Sequence, residues 1–578
     1  MTGYQWSLIG LAQGCWLLLA ALGVNFAVSY TSMPLLGQSA FIAVGAYGFA
    51  LLGPGGVGLA VLVAALLAVL LAGGCGLMVG CALARSGSAD FALATWVLAW
   101  LTPAVIGAFP AALGGSAGLT RPAPPELRSD TLGLQLQLTP KLNLAVAAVS
   151  CLAVMLVLTR LSRSPIGLQL ASLRDSPSLA SSLGISPRYL ARLSLAVAAT
   201  LAGVAGVGLV ALLGVVSPSD VSPLLALALY AAGLLAGPGR RWPVVAIVAA
   251  IGWLPTLVSQ GVGGIGGGGG GLGSVGASSS AVLVAVLLLG SSLLVIPAVR
   301  RRGSPELSAS LDAPPPGPTI PAPSVPSPAD LDVCAPLVRF GSVIALQPLT
   351  IRLRRGQVHA LIGPNGSGKS TVLALIAGDL PGAELMIDGT ALSAGTAVER
   401  ARLGIVRTPQ DFDALPEIVL GRQILLSAFL GLRRPGAVAR EVLATPRARL
   451  LRERASGRAG EWIRASCLTE VINRSPSELG TGERQLMQLV RAAATGASVL
   501  LLDEPAAGLT PSEKARLSGF IRRLAETGRA VLVVEHDMQF VAGVADYVSV
   551  LDAGRVVAAG SPSIIRTDPL AVQALFGA

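Results

Sequence analysis

The run GPNGSGKST, Gly363–Thr371, follows the strand-like segment VHALI and precedes the helical pattern TVLALIAG. This order of strand, glycine loop and helix is the context a phosphate cradle requires. Gly363, Gly366 and Gly368 let backbone N–H groups converge on phosphate oxygens at the positive end of a helix, with Pro364, Asn365, Ser367 and Thr371 completing the run. Lys369 stands where it would hold the β- and γ-phosphates, and the Ser370 hydroxyl where it would ligate Mg²⁺. Lysine is scarce here, occurring only as Lys141, Lys369 and Lys514, so its presence in the loop carries weight. Further on, SVLLLDEPAAGL ends an apolar strand in Asp503, which can bind a metal through water. Glu504 follows, placed to polarise an attacking water as general base. An acidic pair at a strand end is by itself often a solvated turn, but a phosphate loop in the same domain changes that reading. A third segment, VLVVEHDM, sets His536 directly after another apolar strand, where a neutral imidazole reaches a γ-phosphate or the water beside it. The other histidine, His359, lies inside the strand before the loop and reads as packed core.

Such segments need a scaffold that brings their strand ends together. The runs Val358–Ile362, Val499–Leu502 and Ala530–Val534 alternate with helical patterns, which predicts an α/β domain with a largely parallel sheet. The rest of the chain differs in kind. Of its 578 residues 53% are hydrophobic and 13% charged, with no charge from Met1 to Ala84 and none from Trp242 to Val299. A water-soluble surface excludes so long a charge-free run, so the first half belongs in lipid. The expected architecture is multi-domain: a polytopic α-helical membrane domain followed by an α/β phosphate-loop domain.

Spans of about 20 apolar residues are read at 6–28, 35–53, 57–83, 90–112, 141–160, 190–215, 222–237, 243–259 and 279–298. The segment Ser29–Gly37 is polar and contains proline, which predicts a broken or re-entrant element buried among helices. Arginines beside apolar spans place Arg160–Arg192, Arg240/Arg241 and Arg300–Arg302 on the cytoplasmic side. The loops Gly114–Pro140 and Gly261–Gly276 then face outside. The same arginines account for the net charge of +11 without nucleic acid as a partner. The N-terminus lacks a positive leader, so the first apolar run is expected to be a retained helix. Six cysteines without CxxC spacing read as reduced thiols. Residues 303–330 are rich in Pro, Ser and Ala and cannot pack a core, so they are expected to act as a tether.

Residues 336–578 resemble an ABC-transporter ATPase of the branched-chain amino-acid importer group, through DEPAAGL, EHDM and the closing DPLAVQALFG. The resemblance implies further roles. Gln410, in RTPQDF, stands where the family has its Q-loop glutamine, which senses Mg²⁺ and the membrane domain. Phe340, in RFGSVIAL, stands at the position whose aromatic ring stacks on adenine, the alternative being a core residue. The family's signature Leu-Ser-Gly-Gly-Gln is altered to Leu479-Gly480-Thr481-Gly482-Glu483: Gly482 and the start of the helix are kept, and the hydroxyl at Gly480 is lost. In the first half, residues 21–47 are similar to the first helices of branched-chain amino-acid permeases. Residues 163–192 resemble their cytoplasmic coupling loop, with Gly184 at its turn.

The resemblance implies a permease at 1–302, a linker at 303–335 and an ATPase at 336–578, with ATP and Mg²⁺ as cofactors. Each ATP would lie between the phosphate loop of one ATPase and the signature of another. Expected partners are a second permease, a second ATPase, an extracytoplasmic solute-binding protein and the lipid of the cytoplasmic membrane. Branched-chain or related amino acids are the first expectation for the solute, with urea or short amides as alternatives. An exporter is disfavoured by the short spans and broken second segment, and a non-transporting ATPase by the charge-free start.

Overall fold

The structure, a computed structural model, describes residues 3–31, 34–53, 59–83, 87–120, 126–129, 134–137, 139–163, 165–235, 320–321, 330–387, 389–392, 395–408, 418–431 and 446–576. The chain divides into two compact units, one of Met1–Ser162 with Arg188–Ala298, the other of Arg163–Pro187 with Val299–Ala578.

Among the described residues, nine helices of six residues or more lead through the first part of the chain: α1 (Gly3–Thr31), α2 (Gln38–Leu52), α3 (Leu59–Ala82), α4 (Ser88–Ala108), α5 (Pro140–Arg163), α6 (Pro165–Asp175), α7 (Pro177–Ser182), α8 (Pro187–Leu213) and α9 (Pro223–Leu235). Among the described residues, five of them (α1, α3, α4, α5 and α8) are long and apolar enough to cross a membrane. The spans expected at 243–259 and 279–298, and the glycine loop between them, lie outside the described residues. Helices α3, α4 and α5 turn Leu66, Leu70, Trp100 and Val149 outward, where lipid is the solvent that such faces require. The break after α1 is buried: Leu36 N–H donates to Thr95 Oγ1 at 3.3 Å, and the Gln38 amide donates to Ala20 O and Ala198 O, both at 3.0 Å. These bonds satisfy backbone groups that lipid would leave unpaired. Helix α8 approaches α2 through glycine. A Cβ at Gly206 would stand 2.2 Å from Ile42 O, so a larger residue would push the helices apart.

The second unit contains the α/β domain. Its strands are β1 (Asp330–Ala335), β2 (Val338–Phe340), β3 (Val343–Leu346), β4 (Leu349–Arg354), β5 (Val358–Ile362), β6 (Glu384–Ile387), β7 (Thr390–Ala391), β8 (Ile405–Arg407), β9 (Val499–Asp503), β10 (Ala530–Val534), β11 (Tyr547–Asp552) and β12 (Arg555–Gly560). One sheet runs β8-β9-β10-β5-β11-β12, parallel except for the last pair. A second, antiparallel sheet runs β7-β6-β1-β4. Its helices of six residues or more, among the described residues, are α10 (Lys369–Ala377), α11 (Ala397–Arg402), α12 (Leu420–Gly431), α13 (Pro446–Ala465), α14 (Thr481–Ala494), α15 (Pro511–Glu526), α16 (Met538–Val544) and α17 (Pro569–Phe576). Most of the core lies between the parallel sheet and α12–α15, around Phe429, Trp462, Met487 and Phe520.

The linker differs from expectation in two respects. The linker read as ending at 335 ends sooner, because Asp330–Ala335 forms β1 between β6 and β4. Its alternation of Leu331, Val333 and Ala335 toward the core is a strand pattern that the prolines before it obscure. The linker is also not a bare tether. Ile320 packs against the core, and Arg529 Nη2 donates to Pro321 O at 2.8 Å.

Candidate functional site

Strands β9, β10 and β5 lie side by side, with Asp503 opposite Val534 and Val534 opposite Leu361. Every residue of the three is buried, as expected for strands covered on both faces. Their C-terminal ends release the phosphate loop, Asp503–Glu504 and Glu535–His536 at one edge, the edge where open α/β sheets bind ligands.

The loop's backbone demands glycine. Gly368 has φ +103°, and a Cβ there would stand 2.6 Å from Ala345 O; one at Gly363 would stand 2.1 Å from Leu551 O. Gly368 caps α10, so Lys369, Ser370 and Thr371 form a first turn whose N–H groups have no partner within the helix. Asn365 and Gly366 are exposed on the loop and Pro364 is half-buried. Lys369 Nζ donates to Gly363 O and Pro364 O, both at 2.8 Å, which holds the loop closed on itself and leaves one of an ammonium's three donors. Burial pushes the Lys369 ammonium below its ordinary pKa, against the pull of Glu504 and Asp503.

Asp503 is buried, and its two oxygens differ. Oδ2 accepts from Arg407 Nη2 at 2.8 Å, while Oδ1 has no partner among the described residues. Ser367 Oγ is orphaned in the same way. Buried polar atoms are nearly always satisfied, and a metal-held water and a phosphate oxygen are what these two would take. Asp503 and the exposed Ser370 therefore fit a bound Mg²⁺. Such an ion supplies neutralisation of the charge on the β- and γ-phosphate oxygens.

Glu504 is half-buried, holds φ +44° and donates its N–H to Val534 O at 3.0 Å. A left-handed non-glycine residue costs about 1 kcal/mol, a strain typical of functional sites. The His536 side chain is 62% exposed. Beside it Glu535 is buried and accepts from Ala506 N at 2.7 Å and His536 N at 3.2 Å, and burial pushes its carboxyl above the usual range. His359 is core, as expected. Its Nδ1 lies 3.2 Å from Arg352 O, which only accepts, so Nδ1 carries the proton and Nε2 accepts from Ser549 at 2.9 Å. Burial pushes this imidazole down to about 4.

Phe340 is 53% exposed at the end of β2, so the core alternative for it fails. At the altered signature, Gly480 caps α14, and Glu483 Oε2 accepts from Gly480 N–H at 2.9 Å. The Gly480 N–H is thus engaged within the helix's own capping turn. Gly482 lies beside the Glu513 side chain, whose Oε1 would stand 2.5 Å from a Cβ there, a flexible neighbour able to turn aside. Gln410 lies outside the described residues. The sequence reading passed over Arg407 and Glu535. Each had a signal: a cation closing the strand before Gln410, and an acid directly before His536.

Residues 7–291 match the family model for the permease component of the branched-chain amino acid transport system, and residues 346–507 match that of the ABC transporter. The chain is 32% identical over 250 residues to the high-affinity branched-chain amino acid transport ATP-binding protein BraF of Pseudomonas aeruginosa, covering 43% of this chain and 97% of that protein. It belongs to the ABC transporters. LivG of Escherichia coli strain K12, a branched-chain amino acid transport ATP-binding protein, is likewise 32% identical over 97% of its length. A ribose import ATP-binding protein of Rubrobacter xylanophilus is 33% identical over 44% of its length. A solved nucleotide-free ATP-binding cassette of an ABC transporter is 26% identical, with TM-score 0.37, covering 43% of this chain and 99% of that one. This ABC transporter is a multi-pass membrane protein with a cytoplasmic ATPase that hydrolyses ATP, with Mg²⁺, in coupling to transport.

Within the transporter's second unit, the segment 163–187 packs on the ATPase. Leu179 and Leu183 cluster with Ile418 and Leu430. Gly184, at φ +80° just past α7, offers its carbonyl to Arg402 Nε at 3.3 Å. Residues assigned to the permease by sequence order therefore belong structurally with the ATPase, because their leucines are buried there.

Proposed function

We propose that this chain is a fused permease and ATPase subunit of an importer for branched-chain or closely related amino acids. The supporting observation is that its two halves resemble the same transport system separately: the permease half by family model, the ATPase half over nearly the whole length of BraF. The resemblance to a ribose import ATPase covers less than half of that protein.

In this reading Gly363–Thr371 hold the phosphates and Phe340 stacks on adenine. Ser370, Asp503 and Gln410 surround Mg²⁺, Glu504 activates water, and His536 and Gln410 align the γ-phosphate. Gly480 and Gly482 present the signature helix to the nucleotide of a neighbouring ATPase. The Gly480 N–H engaged by Glu483 makes this signature a weak phosphate site, which favours assembly with a second ATPase and second permease. A separate binding protein delivers the solute.

The test is to reconstitute the chain in lipid with its genomic neighbours and measure ATP turnover with leucine, urea, a short amide or ribose on the binding protein. Stimulation by leucine is expected. Stimulation by urea or ribose alone would replace the solute, and full solute-stimulated turnover by the lone chain would remove the heteromer.

A further inference from the structure

Arg407 closes β8, the strand that runs parallel to β9 with Arg407 opposite Leu501. The next residue ties the two strands: Thr408 N–H donates to Leu501 O at 2.9 Å, and Asp503 N–H to Thr408 Oγ1 at 3.4 Å. From this position the Arg407 guanidinium spans two carboxylates. Nη2 meets Asp503 Oδ2 at 2.8 Å, and Nη1 meets Asp379 Oδ2 at 2.9 Å. Asp379 follows Gly378, the left-handed cap of α10, and its own N–H returns to Ala374 O at 2.9 Å. The guanidinium therefore joins the far end of the phosphate-loop helix to the acid at the end of β9.

The burial of the partners differs sharply. The Asp503 side chain is 1% exposed, that of Arg407 18% and that of Asp379 45%. Asp379 is a solvent-side anchor and Asp503 the residue being held. A carboxylate gripped at Oδ2 by a charge-assisted hydrogen bond cannot rotate freely, so its orphaned Oδ1 has a fixed direction. The grip also supplies a positive charge beside two adjacent acids, Asp503 and Glu504. Lysine, a point charge without a planar fork, cannot bridge both carboxylates.

We propose that Arg407 is a positioning residue for Mg²⁺: it clamps Asp503 Oδ2 so that Oδ1 faces the metal's water, and it does so from the strand leading into Gln410. This rests on the reading of Asp503 as a metal-site residue. Loss of an outer partner that orients a metal ligand typically lowers metal affinity about 10- to 100-fold. A merely structural ion pair would lower thermal stability and leave the metal dependence alone.

The experiment uses the full chain in lipid and a fluorescent ATP analogue, with its binding measured in chelator and across a Mg²⁺ titration. In Arg407→Ala the Mg²⁺ midpoint for tightened nucleotide binding is expected to rise about 10- to 100-fold, with metal-free affinity within about twofold of the parent. Arg407→Lys should fall between. An unchanged midpoint in Arg407→Ala overturns the proposal. If that variant fails to bind metal-free nucleotide, Asp379→Asn decides, since it removes only the exposed anchor: a raised midpoint supports the clamp and an unchanged one overturns it. Asp503→Asn separates the two readings. If its midpoint is unchanged, Asp503 is not at the metal. If it shifts while Arg407→Ala does not, only the positioning role fails.

Discussion

At the phosphate loop the glycines stand at backbone positions closed to other residues, Lys369 opens the helix, and Arg407 holds Asp503. At the signature, the N-terminus of α14 has an exposed glycine where the family carries a hydroxyl, and Glu483 already occupies the Gly480 N–H. Both are helix N-termini with the same intrinsic affinity for anions. What separates them is how many donors remain free for a ligand. A helix end offers phosphate only the N–H groups that its own side chains leave alone, and an acid three residues in is the residue most apt to take one.

The strongest test of this contrast is Lys369→Ala. Removing the one lysine at the loop should abolish ATP binding and transport together, since losing a charged hydrogen-bond partner of phosphate costs about 3 kcal/mol, a factor of about a hundred. Equilibrium binding of ATP checks it, and near-normal affinity would mean that the loop backbone suffices alone. Glu504→Gln should keep ATP binding while turnover falls about 10²- to 10⁴-fold, the range of a general base. Normal ATPase rates in that variant would remove the assignment.

The loop side should also be the acid-sensitive side, because His359 lies in β5 directly before it. Its folded pKa of about 4 is below the ordinary 6.5, so the unfolded chain binds the proton more readily. Stability from the neutral imidazole is therefore complete above pH 6.5 and lost as pH falls toward 4, about 3 kcal/mol in all. Denaturant unfolding of the ATPase across pH 7 to 4, followed by Trp462 fluorescence, measures this loss. An unchanged slope in His359→Gln would assign the acid sensitivity elsewhere.

The smallest effect belongs to the signature. Gly480→Ser restores a hydroxyl worth about 1 kcal/mol to a phosphate contact, so the lone chain's turnover should rise about fivefold. In the assembly with a partner ATPase the gain should be confined to the site using this chain's signature. A fivefold gain from Glu483→Gln alone would show that the occupied N–H, not the missing hydroxyl, is the limiting defect.

The local motifs of the candidate site were legible in the sequence. GPNGSGKST, the acids after an apolar strand and the histidine after another have spacings that only a few backbone conformations satisfy, so residue type and order suffice. The charge-free first half was legible for the same reason, since burial in lipid acts on composition. Tertiary structure decided what depends on partners far apart in sequence. Arg407, passed over in the sequence, gains its meaning only when β8 is laid against β9 and Asp503 comes within 2.8 Å. Glu483 is only one letter of an altered signature until the helix turn folds its carboxylate onto Gly480 N–H. Residues 163–187 follow a membrane helix in the chain and yet bury Leu179 and Leu183 against Ile418 and Leu430. Pattern along a chain records which face of an element is apolar, and does not record which other element covers it.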